Sequence, residues 1–229
     1  MIQSLAFLKD SWEAQVERLV KAPAKKHGVI EGKQRQIIEG ACKVFFEKGF
    51  HPTSIREIAE AAGMSRGQLY YYISSKDDIL FLIHMHMQMS WHRYLKNAKI
   101  DEIKDPRQRL EFASKSTFDF LIENKELIQF IYTESKYLNK DHLKVVLDMD
   151  SKNVVQFWRE LVIEALGDSA QNRAIDLAAN LITYLMVFYP LRGWNFKEIP
   201  TDDISSFLID FIFRGLGIKM PENRENKKA

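Results

Sequence analysis

Two serine-led helix starts stand eleven residues apart, Ser54 with Glu57 and Ser65 with Gln68. In each, the hydroxyl accepts from an amide three residues on, and the Glu or Gln side chain returns to the serine's own amide. Pro52 discourages an earlier start. Ile55, Ile58, Ala59 and Ala62 share one apolar face, and Gly63 supplies the left-handed residue that ends this first short helix. Two helices joined by so few residues cannot fold back flat on each other. They must cross steeply, which is helix-turn-helix geometry.

The second short helix has the chemistry a major groove requires. Leu69 and Ile73, at i and i+4, anchor it to a core, leaving Arg66, Gly67, Gln68, Tyr70, Tyr71 and Tyr72 at its start and outer side. Arg and Gln pair bidentately with guanine and adenine edges. A glycine allows close backbone approach, and tyrosine hydroxyls reach phosphates. Lys76, at the start of the next helix, joins a cation to a helix N-terminus, and both favour phosphate. A bland reading stays open beside this one: Tyr70, Tyr71 and Tyr72 as a partly buried aromatic cluster, and Arg56 as a surface partner of Glu60 at i+4.

The rest of the chain has helical spacing. Ile37, Ala41, Val44 and Phe45 form a first core helix that stops at Gly49, and a long helix follows from Lys76 to Lys96. Further helices are expected from Pro106, interrupted at Asn124 and continuing to Leu138; from Leu143 to Gly167; from Ala174 to Tyr189; and from Ile204 to Leu216. A Pro190–Pro200 loop separates the last two. The expected fold is all-α: a three-helix helix-turn-helix domain joined to a larger helical bundle, about nine core helices plus an extra one over residues 4 to 20. The expected divisions are an extension over 1–32, a DNA-binding domain over 33–78, an effector-binding and dimerisation domain over 79–220, and a frayed tail over 221–229. The extension is read as a docking helix, as a minor-groove arm carrying Lys21, Lys25 and Lys26, or as a solvated linker.

Charge is distributed unevenly. Lys21 to Lys76 holds ten basic residues against five acidic, whereas residues 77–229 hold 21 against 23. A basic first third on a near-neutral remainder suits a protein that touches phosphate with one part only. The single cysteine, Cys42, is read as a buried thiol, and no Cys/His set resembles a zinc site. His84 and His86 stand two residues apart on a helix, pointing away from each other, so no metal or other cofactor is expected. Gly63-Met-Ser-Arg-Gly67 mimics a hydrolase nucleophile elbow, but that motif needs a strand before it and here a capped helix precedes it. No catalytic constellation is found. No secretory leader pattern is read, and the longest apolar stretch, Leu181–Leu191, is shorter than the roughly 20 residues of a membrane span. A cytoplasmic protein is expected.

The segment resembles the DNA-binding domain of the TetR/AcrR family of transcriptional regulators. The matching residues are Thr53-Ser54, Ile58-Ala59, Ala62-Gly63-Met64-Ser65, Leu69-Tyr70-Tyr71 and Ser75-Lys76-Asp77, with Ile73 where the family usually has Phe. The resemblance implies base-reading or groove-lining roles for Arg56, Arg66, Gly67, Gln68, Tyr70 and Tyr71. It implies phosphate contacts for Tyr72 and Lys76, with Thr53 or Ser54 adding one. It also implies a homodimer formed through the last two long helices, reading a palindromic operator in double-stranded DNA. A small effector would bind a cavity in the bundle, with Met85, Met89, His92, Phe118, Phe130, Trp158 and Tyr184 as its candidate lining. Tyr132 to Leu138 is similar to the fatty-acid branch of the family, whose effectors are acyl-CoA thioesters. The expected function is therefore a transcriptional repressor released by an apolar or acyl-CoA-like ligand. The alternative is a constitutive DNA-binding protein without an effector pocket.

Overall fold

The computed structural model describes residues 27–167 and 172–221; the readings of the N-terminal helix, the basic arm and the polar tail beyond Pro221 lie outside them. Every regular element among the described residues is helical, as the spacing requires. The elements are α1 (His27–Lys48), α2 (Ile55–Ala61), α3 (Arg66–Tyr72), α4 (Lys76–Asn97), α5 (Pro106–Glu123), α6 (Lys125–Glu134), α7 (Lys140–Met149), α8 (Gln156–Leu166), α9 (Asn172–Arg192) and α10 (Thr201–Gly215). A π-helical segment, Asp150–Val155, follows α7 and leads into α8, which ends at Gly167.

The compact units do not follow chain order. Among the described residues, one unit comprises 27–89 together with 129–148, and the other comprises 90–128 together with 149–221. In the first, Ile37, Ala41 and Phe45 of α1 are buried with Ile58 and Ala59 of α2, Leu69 of α3, Ile73, and Ile79, Leu80 and Ile83 of α4. Each of the larger side chains among these contributes about 1.5–3 kcal/mol when fully buried. Aromatic rings from the far part of the chain complete this core. Phe45 stacks on Phe130 at 5.1 Å, and Phe50 stacks on Tyr137 at 5.5 Å, Tyr137 lying in a 3-10 turn, Ser135–Tyr137.

In the second unit α5 packs against α8, α9 and α10. Asp105 caps α5 by accepting from the amides of Arg107 and Gln108, both at 2.9 Å, and Pro106 occupies the first turn, where its missing N–H costs nothing. Phe118, Phe157, Trp158, Leu161 and Phe213 are fully enclosed. Trp91 donates its indole N–H to Thr117 Oγ1 at 3.0 Å.

Helix α1 begins at His27, within the expected 1–32 extension, and α9 runs past Tyr189 through Pro190 to Arg192. Pro190 has no N–H for the Met186 carbonyl, which one further turn tolerates near a helix end. Helix α9 is apolar on two sides: Ile175, Ala179, Ile182 and Met186 are buried, whereas Leu177, Leu181 and Tyr184 are exposed. The stretch Ala174–Asn195 is therefore long and apolar enough to cross a membrane by length and composition, although the Leu181–Leu191 run alone is not.

Candidate nucleic-acid interface

The turn between α2 and α3 is held by local caps. Ser54 Oγ accepts from the Glu57 amide at 3.3 Å, and Glu57 Oε2 accepts from the Ser54 amide at 2.8 Å. Glu57 also pairs with Lys48. The hydrogen bond from Lys48 is the main cause, followed by those from Ser54, that pulls the Glu57 carboxyl down to about 2. At the other end of α2, Gly63 takes φ +62° and its amide bonds Glu60 O at 3.1 Å, while the Met64 amide bonds Ala59 O at 2.9 Å. Ser65 Oγ then accepts from the Gln68 amide at 3.1 Å, and Gln68 Oε1 accepts from the Ser65 amide at 2.9 Å. Both boxes read in the sequence are present.

Helix α1 is pressed onto this turn. A Cβ at Gly40 would lie 2.6 Å from Ala62 N and 2.7 Å from Ala62 Cα, so only glycine allows the two backbones to approach this closely. Gln36 Nε2 donates to Ala62 O at 2.5 Å. Reading the chain in isolation missed both residues, because their partner lies more than twenty positions away and neither belongs to a local pattern.

Of the residues expected to face DNA, Arg66, Gly67 and Gln68 are exposed, and Tyr70 and Tyr71 keep 55% and 58% of their surface open to solvent. Tyr72 is half-buried against Tyr71, edge to face at 5.2 Å. The partly buried aromatic cluster thus applies to Tyr72 alone. Arg56 is exposed and pairs with Glu60 at 2.8 Å, the i+4 arrangement that the spacing allowed. Gly67 is not required by the fold: its nearest neighbour for an added Cβ is Ser65 Oγ at 3.9 Å. Glycine favours a helix less than alanine does, and among the described residues nothing crowds a Cβ at this first-turn position.

Thr53 and Lys76 are placed differently from the expectation of phosphate contact. Thr53 is buried and donates its hydroxyl to Gly49 O at 2.7 Å. Lys76 Nζ donates to the carbonyls of Phe50, His51 and Thr53 at 2.6, 2.9 and 2.8 Å and lies 4.5 Å from the centre of the Phe50 ring. An ammonium has three N–H donors, and three carbonyls take them. Partial burial lowers its pKa. Lys76 holds the 50–53 loop that feeds α2 through these three bonds.

The N-terminus of α4 is tied a second time. Asp78 accepts from the amides of Ser74 and Ser75 at 2.6 and 3.2 Å, and Asp77 pairs with His142, whose ring stacks on Phe81 at 4.4 Å. Donor atoms of Asp77, Asp78 and His142 all lie within 4.8 Å of one another, a spacing a cation could use, but both carboxylates already serve the cap and the imidazole. His84, the other buried imidazole of this unit, meets Ser135 Oγ at 3.2 Å.

The residues expected to line an effector cavity fall into three settings. Met85 and Phe130 are buried and Met89 half-buried in the first unit. In the second, His92 and Trp158 are brought together through Trp91 and Phe157, and Phe118 packs beside Tyr189 at 5.8 Å. Tyr184 stands 63% exposed beside Leu177 and Leu181, on an outer face.

Residues 37–83 match the family of bacterial regulatory proteins of the tetR type. Over these residues the chain carries a TetR-type domain. The chain spans about 60% of the length of the first curated relatives it matches. An uncharacterised HTH-type transcriptional regulator of Bacillus subtilis, YerO, is 24% identical over 181 residues, covering 78% of this chain and 62% of its own length. A tetR-family regulatory protein from Rhodococcus RHA1 shares the fold with a TM-score of 0.69 at 20% identity, covering 82% of this chain and 98% of that one. AibR in complex with isovaleryl coenzyme A and operator DNA shares it with a TM-score of 0.62 at 20% identity, covering 79% and 98%. The TetR-type head over α1 to α3 and the larger set of helices after it are the architecture these proteins have in common.

Proposed function

We propose that this chain is a sequence-specific transcriptional regulator of the TetR family, a cytoplasmic homodimer that represses by binding a palindromic operator and releases it when a small apolar or acyl-CoA-like effector binds. One observation carries the DNA reading. The exposed start of α3 presents Arg66 and Gln68 on either side of a glycine that the fold does not need. An alanine there would be tolerated by the chain alone, so the missing side chain makes room for something outside it. Arginine and glutamine flanking a bare backbone fit base edges in a major groove.

The dimer reading is supported by an exposed apolar face on α9 and α10. Phe207 and Phe211 are 69% and 55% exposed, and with Leu185, Phe188, Phe196 and Ile204 they line an open groove of about 540 Å³. Burial of such a face against a second copy would bring two copies of α3 into one particle, as reading a palindrome requires. The effector reading rests on the enclosed aromatic group around Trp91 and Trp158 and on the acyl-CoA complex of the structural relative AibR.

Selection of bound sites from random duplexes, repeated with acyl-CoAs of graded chain length, tests the whole reading. It expects an inverted repeat whose recovery falls when the right ligand is present. Recovery of no common sequence would contradict the DNA reading; recovery indifferent to every ligand would leave the constitutive alternative.

A further inference from the structure

His92 is 5% exposed, and both of its ring nitrogens lie buried without a hydrogen-bond partner. One turn earlier on α4, Gln88 Oε1 is in the same condition. Folded chains rarely leave such atoms unpaired, because each carries the full cost of its desolvation. The rings beside His92 offer no relief. Trp91, at 4.6 Å, has already given its indole N–H to Thr117, and Phe157, at 6.5 Å, presents carbon only. Burial pushes the His92 pKa down to about 4, with no neighbouring charge among its causes. At neutral pH the ring is therefore an uncharged donor and acceptor in apolar surroundings.

We infer that His92 holds the buried polar end of the effector, and that this end is uncharged, a hydroxyl or carbonyl on an apolar body and not a carboxylate. The inference rests on the effector reading above and narrows its chemistry. A carbonyl accepts the imidazole N–H. A hydroxyl either accepts likewise or gives its own proton to the ring nitrogen that carries none. A carboxylate would carry a full charge into a place where nothing of opposite sign meets it, which costs far more than a neutral group. An unpaired imidazole kept in a core is a standing loss of stability, tolerated where a ligand makes use of it.

The test uses the full chain with six probes: decanol, decanoate, decanoyl-CoA, octadecanol, stearate and stearoyl-CoA. Melting temperature and release of selected operator DNA are measured for wild type, His92→Phe, His92→Leu and His92→Gln. The alcohol or thioester of one chain length is expected to bind about tenfold or more tighter than its carboxylate. His92→Phe or His92→Leu should raise the ligand-free melting temperature by about 3 °C and weaken the best probe about tenfold. His92→Gln, which keeps a donor and an acceptor, should restore binding to within about threefold. Equal binding by wild type and both apolar variants, tighter binding of the carboxylates, or a lower melting temperature in both apolar variants would overturn this inference alone. Operator that binds normally but is released by none of the six probes would overturn it together with the effector reading.

Discussion

Lys76 reaches back across twenty-three residues to Thr53, its ammonium 2.8 Å from the Thr53 carbonyl oxygen. With the Phe50 and His51 carbonyls also engaged, this one side chain fixes the loop from which α2 starts. A lysine at the start of a helix invites a phosphate-contact reading, and here geometry assigns it to the protein's own backbone. Lys76→Met is expected to destabilise the fold by about 1.5–3 kcal/mol, the range for hydrogen bonds to a charged group. DNA affinity should fall for all sequences alike, because the reading head loosens. The slope of log affinity against log salt should stay unchanged in a salt titration. A slope reduced by about one would show a phosphate contact instead.

Gly67 separates what the fold requires from what a partner requires. Its added Cβ would meet nothing closer than 3.9 Å. Gly67→Ala should stabilise the protein by about 0.5–1 kcal/mol, seen as a higher denaturation midpoint. The same substitution should weaken operator binding by obstructing close approach to the bases. Gain of stability without loss of binding would remove the main support for the groove-facing assignment.

Gly40 behaves in the opposite way. A methyl group there would stand 2.6 Å from the Ala62 amide nitrogen, pushing α2 off α1. Gly40→Ala should cost about 1–3 kcal/mol despite the better helix propensity of alanine, as overpacking does. Denaturant unfolding of the variant checks this directly, and no loss of stability would mean the α1–α2 contact is looser than described.

Acid should destabilise the chain through two imidazoles. Burial lowers the pKa values of His84 and His92 from 6.5 to about 4 in the folded state. Between these values the unfolded chain binds more protons, so the contribution is complete above pH 6.5 and is lost as pH falls through 4. Each imidazole contributes at most about 3 kcal/mol to that slope. Ser135 gives its hydroxyl proton to Ile131 O, so His84 Nε2 must be the donor in the His84–Ser135 bond. His84→Gln, with a side chain that can still donate to Ser135, should flatten the fall in unfolding free energy between pH 7 and pH 4.5; an unchanged slope would show that His84 is not held neutral.

What could be read from the chain beforehand follows from the range of each interaction. The caps at Ser54 and Ser65, the stop at Gly63 and the anchors Leu69 and Ile73 are decided within four residues, so a linear pattern carries them. The cap of Asp78 on Ser75 is equally local and was legible in principle as serine followed three residues later by an acid. Thr53 follows the same logic, its hydroxyl turning inward to a carbonyl four residues back. Other assignments could not be made that way. Gln36 finds Ala62, Lys76 finds Phe50, and Asp77 finds His142, across separations of 26, 26 and 65 residues. The grouping of residues 129–148 with residues 27–89 has the same origin, since Phe130 and Tyr137 look like any core aromatic until their partners Phe45 and Phe50 are known. The exposure of Tyr184 is likewise invisible in a helix that is apolar on two sides.

The most direct measurement is the ratio of affinities for the selected operator and for unrelated duplex, compared between wild type, Arg66→Ala and Gln68→Ala at one salt concentration. Each variant should lose about 1–3 kcal/mol of discrimination while binding unrelated DNA nearly as well as wild type. A ratio unchanged in both variants would contradict the claim that the start of α3 reads bases.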